Sequence, residues 1–428
     1  MARYDRIARL DPPRRQDAFP GWLVMRDIEG REREAEPARR ARLRFLAHRP
    51  VRRLLSRGLD GPDGESLRLQ IQSVRREVDR LHPRDPERPR LIDYLGEVAG
   101  RTPLGLVTAT LEMGAGAESG GHTYAAEEFY LSGLELARMH DLPVYRGRAL
   151  RRLARVHRRR GDWDEAVDFG RKAAAVADVA GEPVQWAMAL EEVARSGFER
   201  GDIAAGRAVL TEIAGRGQRE ENTHIRAVAG AGACAFELGR GNADAAVREG
   251  AAAIELYPAT DPYRNTTLLA VGSALRRLGL WAAAEECYHA VERRSTWVAH
   301  QADAATEVAI VAAERGDFDR FRERRAVIVE AIGRGDLRLQ SLLHLGLGRG
   351  CIVAGDVDDA REHLRQAITA AREADLPLLL HRAGELLEIL EGGRRPPDSR
   401  PPRPPAPASR AIAATLARRI GSEVVAAR

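Results

Sequence analysis

An all-α fold, a solenoid of antiparallel helix pairs, is predicted by three features of the sequence. A glycine-centred turn recurs about every 40 residues, and a small residue follows it at a fixed offset. The composition is 44% hydrophobic but only 5% aromatic. Closely packed helices are built from Ala and Leu, whereas sheets draw on β-branched and aromatic side chains.

The turn glycines are Gly121, Gly161, Gly201, Gly241, Gly279, Gly316 and Gly355, spaced 40, 40, 40, 38, 37 and 39 residues apart. Five are followed by Asp or Asn: Asp162, Asp202, Asn242, Asp317 and Asp356. A glycine can take the left-handed conformation that ends one helix, and the polar residue can cap the next. Two residues past the glycine comes a side chain able to pack on the preceding helix: Trp163, Ile203, Trp281, Phe318 or Val357. Five residues past it come Ala126, Ala166, Gly206, Ala246, Ala284 and Ala360, small enough to let two helices approach. Phe321 breaks that series, so the sixth repeat is expected to be splayed or irregular.

Residues 1–100 lack the repeat and are expected to form a helical capping region, with short helices at about 38–48, 50–58, 65–81 and 88–100 divided by Pro50, Gly61-Pro62 and Pro83. A terminal unit of a different kind is needed to cover the open end of a repeat stack. The turn Ala18-Phe19-Pro20-Gly21-Trp22 is a candidate anchor onto the first repeat. Residues 101–391 hold about seven repeats. Residues 392–409, rich in Pro and Arg, read as a disordered linker. Residues 410–428 offer a short amphipathic helix with Ile412, Leu416, Ile420 and Val424 on one face, to dock on the protein itself, a second copy or a partner.

The turn pattern resembles that of the tetratricopeptide repeat family, with Gly279–Trp281–Ala284–Tyr288 and Gly241–Ala246–Ala253–Pro258 as the best-matching runs. The resemblance covers about residues 103–391 and departs from the family's 34-residue period by three to six residues. Repeats of roughly 40 residues point to the bacterial type. The resemblance implies a right-handed superhelix whose first helices line a concave surface, and a protein-interaction role.

Net charge is +5, with both ends basic and the middle mildly acidic. Lys172 is the only lysine, so arginine richness in part reflects sequence bias. It also rules out a Gly-Lys-Ser/Thr phosphate loop, since Lys172 lies between Arg171 and Ala173. Gly346-x-Gly348-x-Gly350 falls within a helix rather than after a strand, and is read as a close-packing site instead of a dinucleotide fingerprint. Cys234, Cys287 and Cys351 are too far apart for a metal or disulfide framework. No catalytic residue, metal site or cofactor is expected. The Arg-rich segment Met1–Asp17 lacks the apolar core of a secretory leader, and no apolar stretch approaches a membrane span. The expected location is the cytoplasm.

The best candidate site is the first helix of the second repeat, where Arg148, Arg151, Arg155, Arg158 and Arg159 form one stripe with no acid between Leu142 and Gly161. By the same count back from the turn glycine, Arg195, Arg276, Arg277 and Arg349 join it in later repeats, with Leu269, Leu342 and Leu345 as apolar contacts. Arginine forks suit carboxylates and phosphates, so the expected partner is an acidic protein or peptide. A run of arginines is otherwise a solvated face. The same two readings apply to the run from Arg39 to Arg57. The function expected is a non-catalytic scaffold or adaptor. The alternatives are a peptide-sensing regulator and, less favoured, a nucleic-acid-associated protein using the basic N-terminal segment.

Overall fold

The computed structural model describes residues 35–57, 64–83, 85, 87–119, 122–258, 260–295, 298–332, 337–373, 376–392 and 404–426. These residues form nineteen helices and no strand. The chain divides into two compact units, Met1–Val193 and Ala194–Arg428.

The first unit opens with α1 (Ala35–Arg57), α2 (Gly64–Asp79) and α3 (Glu87–Gly100). Pro50 does not divide α1 as expected; the helix runs through it. An interior proline costs about 3 kcal/mol. Here Leu43, Ala47, Val51 and Leu54 keep a single buried stripe across it, which offsets that loss. In α2 the stripe is Leu67, Ile71, Val74 and Val78, and in α3 it is Leu91, Tyr94, Leu95 and Val98. Both follow the spacing of one helical face. His48 of α1 ties this layer to the first repeat, its two ring nitrogens lying 2.7 Å from Tyr94 Oη and 2.9 Å from Ser132 Oγ. The turn from Ala18 to Trp22 lies outside the described residues, as do Gly121 and most of the linker.

The repeats follow as α4 (Pro103–Ser119) with α5 (Thr123–Met139), and α6 (Pro143–Arg159) with α7 (Trp163–Val179). Helix α8 (Pro183–Arg200) spans the division between the units. The second unit continues with α9 (Ile203–Arg219), α10 (Thr223–Gly239), α11 (Ala243–Leu256), α12 (Pro262–Arg277), α13 (Trp281–Arg294) and α14 (Val298–Glu314). After these come α15 (Phe318–Ile332), α16 (Leu337–Ala354), α17 (Val357–Glu373), α18 (Pro377–Glu391) and α19 (Pro407–Ala426).

Each described turn glycine has positive φ, from 72° at Gly279 to 94° at Gly201. The turns also share one hydrogen bond. Asp162 N donates to His157 O, Asp202 N to Gly197 O, Asn242 N to Glu237 O and Asp317 N to Ala312 O, at 2.8–2.9 Å. That bond satisfies a carbonyl the helix end would leave open. The turns between repeats use the same closure, as in Leu142 N to Ala137 O (2.8 Å) and Asn222 N to Gly217 O (2.9 Å). Their left-handed residues are Asp141, Gly181 and Glu221, so the turn recurs every 20 residues from Asp141 to Gly241.

Capping departs from expectation. Asp202 accepts from Ala205 N (3.1 Å) and Asp317 from Arg320 N (3.2 Å), but Asp162 and Asn242 make no cap bond. Asp162 instead faces His157 Nδ1 (3.0 Å), and Asn242 donates to Glu237 (3.0 Å). The aromatic position is weaker than expected too. Trp281 packs on the core, whereas Ile203, Phe318 and Val357 are exposed.

The small position is fully buried at Ala126, Ala166, Ala246, Ala284 and Ala360. Phe321 is equally buried, and Gly350 makes room for it: a Cβ there would stand 2.6 Å from the ring. The other two glycines of that run pack likewise, Gly346 against Thr306 and Gly348 against Leu364. At this point α16 lies directly on α14 as well as beside α15.

Helix α19 begins at Pro407, three residues before the segment assigned to it by sequence, with the proline at a first-turn position that needs no N–H. It packs on α11 and α13 through Ala413, Leu416 and Ile420, with Ile412 at the edge of the contact.

Candidate functional site

The arginine stripe of α6 is stitched into neighbouring first helices. Arg155 donates through Nε and Nη2 to both oxygens of Glu118 on α4, at 2.6 and 2.7 Å. Arg159 reaches the same carboxylate at 2.7 Å, and Tyr130 Oη donates to it at 2.7 Å. Burial alone would raise the Glu118 pKa, but Arg155 and Arg159 reverse this and hold it well below the usual carboxylate range. Arg158 donates to Glu192 on α8 (3.0 Å), and both side chains are over nine-tenths buried. Arg152, outside the stripe, bridges to Leu111 O (2.6 Å) and Glu112 (3.0 Å). Arg160 pairs with buried Glu127 at 2.7 Å.

The stripe is therefore neither a bare cationic groove nor a solvated face along its whole length. Carboxylates from the helices before and after α6 fill the space between guanidinium groups, which removes the like-charge repulsion the sequence alone implies. Arg148 is exposed, with its guanidinium 5.1 Å from the Tyr145 ring centre. Arg151 is half-buried on the same helix.

The second unit repeats this design separately. Arg276 of α12 is buried and pairs through Nε with Glu307 of α14 (3.0 Å), and also with Glu314. Glu307 accepts in turn from Arg349 of α16 at 3.1 Å. Arg277 donates to Leu238 O at 2.8 Å. Arg195 lies half-buried on α8. Of the apolar positions, Leu269 packs against the core around α12 and Leu345 is buried against α17 and α18.

Two arginines missed by sequence sit on the same faces. Arg382 of α18 is exposed, yet burial by surrounding protein lowers its pKa, with the nearby Arg349 charge adding to this and Glu199 opposing it. Arg338 of α16 stands near Asp303 of α14, whose pKa burial raises to about 6. Among the described residues neither Arg338 nor Arg382 forms an ion pair. Helix α18 ends at Gly392, which has negative φ and lies outside the series from Gly121 to Gly355, so a count back from those glycines does not reach Arg382.

The Arg39–Arg57 run is likewise partly internal. Arg44 is buried and donates through Nε to Glu87 of α3 at 2.8 and 2.9 Å. Among the described residues no three metal-ligating side chains converge, and no helix is long and apolar enough to cross a membrane.

Comparison with known families bears on one part of this architecture. A profile of the tetratricopeptide repeat matches residues 149–178, from the middle of α6 through α7. Residues 149–178 thus form a tetratricopeptide repeat within the chain. The matched segment contains the turn at Gly161 and the small residue Ala166, the two features that mark the internal repeat. No match was found among curated proteins. The helical solenoid and its repeats support a role in protein interaction.

Proposed function

We propose that this repeat protein is a non-catalytic scaffold that holds an acidic segment of a partner protein or peptide on the faces of its first helices. Helices α1–α3 serve as its N-terminal cap. Support comes from Arg382 on the second unit, whose charge is disfavoured by burial and the nearby Arg349 beyond what Glu199 offsets, and from Arg338, which forms no ion pair among the described residues. The desolvation penalty on Arg382 is one that a bound carboxylate relieves. On the first unit the corresponding contact residue is Arg148, because Arg155, Arg158 and Arg159 are occupied by Glu118 and Glu192.

Which arginines to change follows from this division. Replacing Arg148, Arg338 and Arg382 with Glu leaves the internal ion pairs intact, whereas replacing Arg155 would strand Glu118. Binding is measured by fluorescence anisotropy with a labelled acidic peptide, an alternating Glu/Leu sequence, at two salt concentrations. The proposal expects wild-type binding that weakens with salt and falls at least tenfold in the folded triple variant. Equal binding by the two proteins would sink it.

A further inference from the structure

Helix α19 is seated against α11 and α13, the second helices of consecutive repeats. Its buried stripe is Ser409, Ala413, Leu416 and Ile420, one helical face. The start of the helix is fixed by Asp244 of α11, which accepts from Ala406 N at 3.0 Å and from Ser409 Oγ at 2.5 Å. Arg419 lies 3.7 Å from Glu255, near the other end of α11. The seat therefore has an apolar floor, a polar stop at one end and an acidic rim.

We propose that this seat is a helix-binding site that accepts α19 from a second copy of the chain, so that two copies exchange their C-terminal helices. Each contact joins α19 to α11 or α13, and none depends on the two belonging to one molecule. Exchange thus retains every contact and changes only the connection. The connection favours it: residues 393–406 contain Pro396, Pro397, Pro401, Pro402, Pro404 and Pro405. Proline-rich segments act as semi-rigid spacers, which suits a connection that carries a helix across to a second copy. Charge assists the encounter, since Arg410, Arg418 and Arg419 are exposed on α19 while α11 carries Asp244, Glu249 and Glu255.

The test uses the full chain. The double variant Leu416→Asp/Ile420→Asp removes the stripe and leaves the seat open. A labelled peptide of residues 404–426 should bind this variant, bind wild type at least tenfold more weakly, and lose at least tenfold when Asp244→Ala is added. Light scattering should show wild type gaining dimer as concentration rises through the micromolar range, with the double variant monomeric throughout. A wild type that stays monomeric while the peptide binds would overturn exchange with a second copy. Failure of the peptide to bind the folded variant would overturn the seat itself. If circular dichroism shows the double variant misfolded, Ser409→Asp replaces it, setting a carboxylate against Asp244.

Discussion

Removing the Glu118 carboxylate tests whether the arginine stripe is part of the fold. Glu118 is only 4% exposed and accepts from Arg155, Arg159 and Tyr130. Glu118→Ala leaves two guanidinium groups facing each other with no anion. Loss of one partner from a buried pair costs about 3–5 kcal/mol. The low end, about 3 kcal/mol, applies because Arg155 and Arg159 are 22% and 23% exposed and water can partly compensate them. For a unit of this size that is a fall of about 6–12 °C in melting temperature.

The pH dependence carries an independent sign. The folded pKa of Glu118 is depressed below the ordinary 4.5, so its stabilisation is fully present above that value. It is lost as pH falls through the folded pKa. Urea unfolding of wild type and Glu118→Ala, followed from pH 7 to pH 2.5, should show a constant gap above pH 4.5 that narrows below it. A triple change that also makes Arg155 and Arg159 Met should recover most of the loss. A gap under about 1 kcal/mol at pH 7 would place the pair among solvent-screened surface contacts and refute the argument.

Gly350→Ala should destabilise the second unit by about 1–3 kcal/mol, since the new Cβ meets a fully buried Phe321 ring. Phe321→Leu in the same chain should recover part of it, and thermal unfolding of the double-mutant cycle measures the coupling. Asp303→Asn should raise the melting temperature at pH 7.5 and leave it unchanged at pH 3.5. The raised folded pKa, about 6 against 3.8, means that ionised Asp303 opposes folding only as pH rises between those values. Asp141→Gly and Glu221→Gly should each stabilise by about 1 kcal/mol in urea titrations, because each side chain is held at positive φ.

The repeat was legible because its turn needs glycine. Gly161 through Gly355 mark positions where other residues are strained, and Ala126 through Ala360 mark close helix approach. The intervening turns were harder to see, since Asp141 and Glu221 occupy the left-handed position without glycine. Pro103, Pro143 and Pro183, spaced 40 residues apart at the starts of first helices, were the available signal for them. The partners of the stripe could not be read locally. Arg155 and Glu118 are 37 residues apart, and only stacking of successive helices brings them together. The seat of α19 was less accessible still, because Asp244 and Ser409 are 165 residues apart. Sequence showed that the helix had one apolar face but not where it would come to rest.

The 20-residue beat between Asp141 and Gly241 has a consequence for rebuilding the chain. Helix plus turn is one interchangeable length, yet first and second helices present different faces to their neighbours. A splice joining Gly201 to Gly241 therefore removes a whole pair and returns the chain in phase. A splice joining Gly201 to Glu221 restores a well-formed turn but reverses the roles of all later helices, aiming their ion-pairing edges at the wrong neighbours. The array behaves like a two-stroke cycle: it tolerates loss or gain of full cycles, and half a cycle halts it.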